Sequence, residues 1–445
     1  MKILSRIQII SCGILIMALS SCVSFENEYT ILPPGKWRAY LRLDPSVQQL
    51  NKQGKPLADP NNLSFKEVTA GELPFTFDVV YNSDSSFRIE IQNGQEIIRV
   101  NDISYGRERA TLDDTILINF PEFDTYIRAK FKEGVMQGHW HVPYKEEGEY
   151  SIPFIAKYGK GFRFTELKKE PFMDISGNWS TIFGEGENQW PGIGEFKQNG
   201  NQLSCTFKTE TGDYRFLEGT IQDKKIYLST FDGSHAFLFE GRIQPDSTIQ
   251  GSFRSGKHYQ TVWEAKRDNS VQLPDTESLT YLLPEYDKFE FSYPNTDGVL
   301  TSLSDPQFQG KKKIIQILGT WCPNCKDETI FLKEYLRNNP SENLAVIGLS
   351  FEYYDTEKSL SVIDRYVKAM EVPYPILYAG NSKKSEAAKS LPMLNAIIAY
   401  PTMIFLDEEN KVQKIHTGFN GPATSDYPVF KEEFENYMQT FLAEQ

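Results

Sequence analysis

The stretch Trp321-Cys322-Pro323-Asn324-Cys325 constrains this chain more than any other. Two cysteines, two residues apart, follow an apolar run from Lys313 to Leu318 that reads as a buried strand. They open a segment from Cys322 to Leu336 that reads as a helix. A dithiol at a strand-to-helix turn has the geometry to open and close. Cys322 falls at the helix N-terminus, where unpaired backbone N–H groups and the helix dipole favour a thiolate over a thiol, which makes it the candidate nucleophile. Cys325, one turn further in, is the candidate resolving thiol, placed to attack a mixed disulfide on Cys322 and release the reduced partner. An inert structural disulfide is the competing reading. Zinc fails on ligand count, because no second cysteine pair exists and the histidines at 139, 141, 235, 258 and 416 are scattered. No metal is assigned, and no cofactor beyond the Cys322/Cys325 pair.

The pattern around the motif is that of strands alternating with helices, which signals an α/β layer structure over residues 289–445. Leu344 to Phe351 reads as the next strand, which completes a βαβ unit. Lys358 to Met370 reads as a second helix, Pro375 to Tyr378 as a short strand and Ser385 to Leu391 as a short helix. Thr402 to Asp407 and Val412 to His416 form a hairpin. Phe430, Phe434, Tyr437, Phe441 and Leu442 make one stripe of a closing helix.

From Phe289 onward the chain resembles the thioredoxin superfamily, in its TlpA/ResA-like membrane-tethered branch. Gly319-Thr320-Trp321-Cys322-Pro323-Asn324-Cys325 follows its strand as the family's redox motif does, and Tyr400-Pro401-Thr402 precedes a strand as the family's cis-proline loop does. The resemblance implies a thiol-disulfide oxidoreductase with Pro401 cis and opposite the dithiol, and with the Tyr400 backbone, Trp321 and Pro323 meeting the substrate chain. It also implies a proton-handling role for Glu328, three residues past Cys325. A solvated helix residue is the plainer reading of Glu328. Two departures stand out. Gln316 replaces the buried aspartate of ordinary thioredoxins six residues before Cys322, which makes Glu328 the better proton acceptor. Ile330 stands where the branch usually has proline, so a kink in the helix is not assured.

Tyr29 to Lys266 has a different character: short period-2 runs separated by turns, hence an all-β region. It contains a faint internal echo. Gly35-Lys36-Trp37 matches Gly177-Asn178-Trp179, and Gln92-Asn93-Gly94 matches Gln198-Asn199-Gly200, where Asn-Gly suits a two-residue hairpin turn. Two barrel-like or sandwich-like units follow, over 22–171 and 172–268, and the Gly-x-Trp opening makes the second a candidate lipocalin-like barrel. Residues 269–288, rich in Pro, Asp, Glu and Ser, read as a linker. Cys205 lies in an alternating stretch and reads as a buried strand thiol. His139-Trp140-His141 could place two imidazoles on one face, and His416 reads as structural.

The first residues carry Lys2 and Arg6, then an apolar run from Ile9 to Ala18, shorter than the roughly 20 residues that span a bilayer. Residues 1–21 thus read as an export signal. Leu19-Ser20-Ser21-Cys22 resembles the bacterial lipobox, which would leave Cys22 lipidated and the rest tethered to a membrane, in the periplasm or otherwise outside the cytoplasm. A formal charge of −13 argues against nucleic acid as a partner. The expected partners are exported proteins with disulfides and a membrane electron donor. The alternative is a binding lipoprotein whose β half captures a ligand or a protein, with an accessory redox domain.

Overall fold

The computed structural model of the chain describes residues 31–43, 68–83, 85–108, 111–148, 150–274 and 276–443. The expected export signal and Cys22 lie outside these residues. No helix among the described residues is long and apolar enough to cross a membrane. The architecture is multidomain, a large all-β region followed by an α/β domain.

Among the described residues, nine strands between Gly35 and Tyr158 form one antiparallel up-and-down sheet. Gly35–Arg42 pairs with Glu72–Ser83 on one side and with the last strand, Ser151–Tyr158, on the other. The two edges are Glu96–Val100 and Ile103–Arg107, neighbours in sequence that do not pair, so the sheet is a half-barrel with one seam open. A second set of nine strands, between Gly177 and Arg267, closes. Its first strand, Gly177–Phe183, pairs with both the next strand and the last, and Trp190–Asn199 continues to Gln202–Thr209.

The two units open alike in structure as well as in sequence. Trp37 and Trp179 are both fully buried. Each indole N–H donates to the carbonyl four residues earlier, Pro33 at 3.1 Å and Ile175 at 2.8 Å. The matching hairpins differ slightly from the expected turn. Asn93 and Asn199 remain paired in their strands, opposite Glu96 and Gln202. Glycine is the first loop residue, with φ of +60° at Gly94 and +57° at Gly200. That is the type II′ pattern, whose first central position glycine fills without a Cβ clash.

Lys225–Phe231 and Ala236–Ile243 are the strands that join the units. Ile226, Leu228, Phe237 and Phe239 point into the closed barrel. Phe231, Ala236 and Leu238, from the opposite face, belong to the core of the first sheet. The Phe231 ring lies 4.6 Å from Phe75 and 5.2 Å from Trp140. Two hydrogen bonds fix the contact: Ser229 Oγ donates to Pro74 O at 2.6 Å, and Asn93 Nδ2 to Phe231 O at 3.0 Å.

Residues 279–283 run along the α/β domain: Leu283 N donates to Met393 O at 2.8 Å and Asn395 N to Tyr281 O at 3.0 Å. The domain's main sheet has strands β1 (Lys312–Leu318), β2 (Leu344–Glu352), β3 (Ile376–Asn381), β4 (Thr402–Leu406) and β5 (Val412–Thr417), in the order β3-β2-β1-β4-β5. β2 is parallel to β1 and β3, whereas β4 is antiparallel to β1 and β5. Four helices accompany it: α1 (Pro323–Asn338), α2 (Thr356–Met370), α3 (Lys384–Ser390) and α4 (Tyr427–Ala443). One core, with Ile315, Ile317 and Leu349, fills one face of the sheet; another, with Phe331, Tyr366, Phe405 and Phe434, lies under α1, α2 and α4. β1 is buried along its whole length, which suits its Ile- and Leu-rich sequence and leaves Gln316 to find partners inside the domain.

Candidate active site

β1 ends at Leu318, and a three-residue loop carries the chain to α1. Cys322 caps that helix: its backbone is extended, and Sγ accepts the N–H of Cys325 at 3.2 Å. Pro323 follows at the first helical position, where its missing N–H costs nothing and its fixed φ suits the helix. Cys322 is 5% exposed and Cys325 fully buried. The two are joined as a disulfide, with Cα atoms 5.2 Å apart. An N-cap sulfur facing free helix N–H groups is held where a thiolate gains most once the bond is reduced.

The opposite wall is the loop before β4. The Tyr400–Pro401 peptide bond is cis, and Cys322 Sγ lies 3.4 Å from Tyr400 O. Trp321 packs beside the dithiol, its indole N–H donating to Phe351 O at 3.0 Å. Its ring is 5.4 Å from that of Tyr400 and 5.0 Å from that of Tyr353. The loop preceding Trp321 is anchored by Glu352, which the sequence did not single out. That buried carboxylate accepts from Thr320 N at 3.0 Å, Thr320 Oγ1 at 2.9 Å and Ser350 Oγ at 2.5 Å. Burial pushes its pKa up to about 7.

Glu328 is fully buried, so the reading as a solvated helix residue does not hold. One carboxyl oxygen accepts from Gln316 Nε2 at 2.9 Å, and the other has no hydrogen-bond partner. Desolvation pushes its pKa up to about 8, with the Gln316 bond pulling weakly the other way. Gln316, in the place of the missing aspartate, is the hub of a neutral network: its carbonyl accepts from Tyr374 OH at 2.9 Å and its amide reaches Thr329 Oγ1 at 3.1 Å. Glu328 thus stands one helical turn beyond Cys325 on α1, a buried carboxyl whose side-chain partner is Gln316. α1 runs through Ile330, which is 37% exposed, to Asn338.

The β half reaches the motif directly. Ser234 Oγ donates to Trp321 O at 2.6 Å, Asn324 Nδ2 donates to Asp213 O at 3.0 Å, and Arg215 donates to Pro323 O at 3.2 Å. Nothing in the sequence announced these contacts, because all three pairs are more than 80 residues apart. The other residues noted in sequence sit elsewhere. Cys205 is a buried thiol in the barrel. The His139 and His141 rings lie 6.1 Å apart on the first sheet, and His416 packs on Phe430 of α4.

A buried thiol pair at a helix N-terminus, facing a cis-proline loop on this sheet order, defines the class of thiol-disulfide oxidoreductases. The Redoxin family matches residues 273–429, which begin past both β units. Thioredoxin-like protein YneN of Bacillus subtilis (strain 168) is 30% identical over 132 residues, 29% of this chain and 68% of its own length. Thiol-disulfide oxidoreductase ResA of the same organism is 24% identical over 128 residues, again 29% of this chain and 64% of its own length. Among solved structures, a thiol-disulfide oxidoreductase from Bacteroides fragilis NCTC 9343 covers 33% of this chain at 21% identity, with a TM-score of 0.26. The chain belongs to the thioredoxin superfamily, in its TlpA/ResA-like branch.

Proposed function

We propose that the chain is a membrane-anchored oxidoreductase that reduces or exchanges disulfides in exported proteins through Cys322 and Cys325. The observation that carries this reading is the asymmetry of the pair: Cys322 caps α1 next to the Tyr400–Pro401 loop, while Cys325 is sealed behind it. In the reduced state, the Cys322 thiolate attacks one sulfur of a substrate disulfide. A Cys322–substrate S–S bond forms, the substrate S–S bond breaks, and the leaving thiolate takes up a proton. Cys325 then gives its proton to the Glu328 carboxylate and attacks Cys322 Sγ. The Cys322–substrate S–S bond breaks, the second substrate sulfur leaves as a thiolate and takes up the proton that Glu328 received, and Cys322–Cys325 is left oxidised. Two electrons have passed to the substrate, and a membrane electron donor returns them.

Trp321 and Pro323 form one side of the substrate groove, with Tyr400 and cis Pro401 forming the other. An extended substrate segment pairs with backbone groups of that loop. The soluble part is held outside the cytoplasm by lipid on Cys22 after removal of residues 1–21, and no cofactor beyond the dithiol is needed. Residues 22–171 and 172–268 serve as two β units that frame the redox domain, with 269–288 as the connection.

Insulin disulfide reduction with a chemical reductant tests the reading: Cys322→Ser should abolish it, and unchanged turnover would defeat the proposal. Cys325→Ala should accumulate mixed disulfides on Cys322, whose attached proteins name the substrates. If export-competent cells yield none, the binding reading of the β half gains the advantage.

A further inference from the structure

Arg215 is the place where all three units meet. It belongs to the closed barrel and is 5% exposed, yet it holds a left-handed backbone with φ of +58°. Its guanidinium donates to Pro323 O, next to Cys322, at 3.2 Å, and to the Asp327 carboxylate in the first turns of α1. It also pairs with Glu96 of the first sheet and, at 3.3 Å, with Asp232 of the barrel. Asp213 stands close by, accepting from the backbone of Arg215 and of Gly421. Lys326, paired with Glu122, and His235, beside Asp232, complete the charged and titratable surroundings.

We propose that Arg215 is a positioning residue for the Cys322/Cys325 couple: a cation carried by the barrel that fixes the first turn of α1 and stabilises the Cys322 thiolate. This rests on the reading of Cys322 as attacking thiol. A planar guanidinium donates to a carbonyl and several carboxylates at once, and an ammonium in its place would keep the charge with fewer of those bonds. Within reach of Arg215, carboxylates outnumber cations, so its removal would leave a negative field beside the thiolate. The thiolate would weaken, the reduced state would lose stability, and the couple would become more reducing. Removing the Asp327 carboxylate would act with the opposite sign.

The test is the equilibrium of the full chain with glutathione at pH 8, where Asp327, pushed up to about 7 by burial, is ionised. Arg215→Met should shift the equilibrium about tenfold toward the disulfide, which is about 30 mV. Arg215→Lys should stay within about threefold of the parent even if its melting temperature falls, because the charge remains. Asp327→Asn should move about threefold toward the dithiol. Equal shifts in Arg215→Met and Arg215→Lys, or shifts of the same sign in Arg215→Met and Asp327→Asn, overturn the proposal, since loosened packing has no reason to reverse sign. If Arg215→Met does not fold, the other two variants decide, and an unmoved Asp327→Asn overturns it. A parent chain that never exchanges with glutathione removes the reading of Cys322, and Arg215's role with it; a parent that exchanges while the variants stay unmoved removes Arg215 alone.

Discussion

The two β units begin with the same Gly-x-Trp strand and the same buried indole, yet one closes on itself and the other closes on its neighbour. The barrel between Gly177 and Arg267 has a complete inner core of its own. The half-barrel between Gly35 and Tyr158 takes Phe231, Ala236 and Leu238 from the barrel to finish its core. A sheet with an open seam leaves two edges and an apolar face to be covered, and here the cover is another β unit. The barrel is therefore the scaffold and the half-barrel the dependent layer. They also meet the redox domain differently. The barrel grips the motif through buried groups around Arg215, whereas the half-barrel meets α1 and α2 through a rim of acids, with Lys326 on Glu122 and Arg365 on Asp124.

Phe231→Ala should give the largest effect. The ring is fully buried against Phe75, Phe120 and Trp140, and its loss removes apolar burial and leaves a cavity, at about 3–5 kcal/mol. Hydrogen exchange would locate the damage. Amides of Glu72–Ser83 and Val135–His141 should lose protection while those of Gln202–Thr209 keep theirs. Equal loss in both sheets would mean that neither unit is subordinate.

The sequence hides this dependence: Ala236 to Ile243 reads as one more period-2 strand, and only the structure divides its faces, Phe237 and Phe239 to the barrel core, Ala236 and Leu238 to the core of the first sheet. The redox site was far more legible, because Cys322, Cys325 and Pro401 carry a spacing and a strand context that few other folds share. Glu328 was legible as a candidate, and its burial depended on the packing of α1 against β1 and Gln316. Arg215 and Glu352 left no local signal. One sits after a two-residue strand and the other at a strand end, and each acquires its partners only through tertiary approach. The hairpins show the finer limit: Asn93-Gly94 marked the turn correctly and misplaced it by one residue, since hydrogen-bond register decides which residue leaves the strand.

The barrel's grip on the motif should respond to pH. Burial raises the pKa values of Asp213, Asp232 and Asp327, the last to about 7, and in the same domain raises Glu352 to about 7 and Glu328 to about 8. A carboxyl with a raised folded pKa holds a proton in the native state that the unfolded chain has already released. Its contribution is complete below the unfolded value near 4 and is lost as pH rises through the folded value. The chain should therefore be less stable at pH 8 than at pH 5, by on the order of 3 kcal/mol, and Glu328→Gln should flatten that slope. Urea unfolding at both pH values checks it; a stability that rises over this interval would show that these carboxyls are ionised in the fold. The same Glu328→Gln variant should slow resolution of the mixed disulfide by about 10²-fold, the range of a lost general acid–base group.

The half-barrel's rim should respond to salt instead, and more weakly. Asp124 accepts from Tyr354 OH at 2.6 Å and pairs with Arg365 at 2.7 Å and Lys358 at 3.7 Å, with both cationic side chains at least 40% exposed. Exposed cations are screened, so each pair contributes about 0.2–1 kcal/mol, and less at high ionic strength. Asp124 also has φ of +53°, a conformation that Asn tolerates. Asp124→Asn thus removes the charge without straining the loop and leaves an amide oxygen for Tyr354. The substitution should cost about 1 kcal/mol at low salt and almost nothing at high salt, while the pH slope falls only slightly, because the Asp124 charge is the smallest of the causes acting on Glu352. Urea midpoints at two salt concentrations would read both quantities. A loss that persists at high salt would show that this rim is held as tightly as the contacts around Arg215, and the two units would then share the work of seating the redox domain.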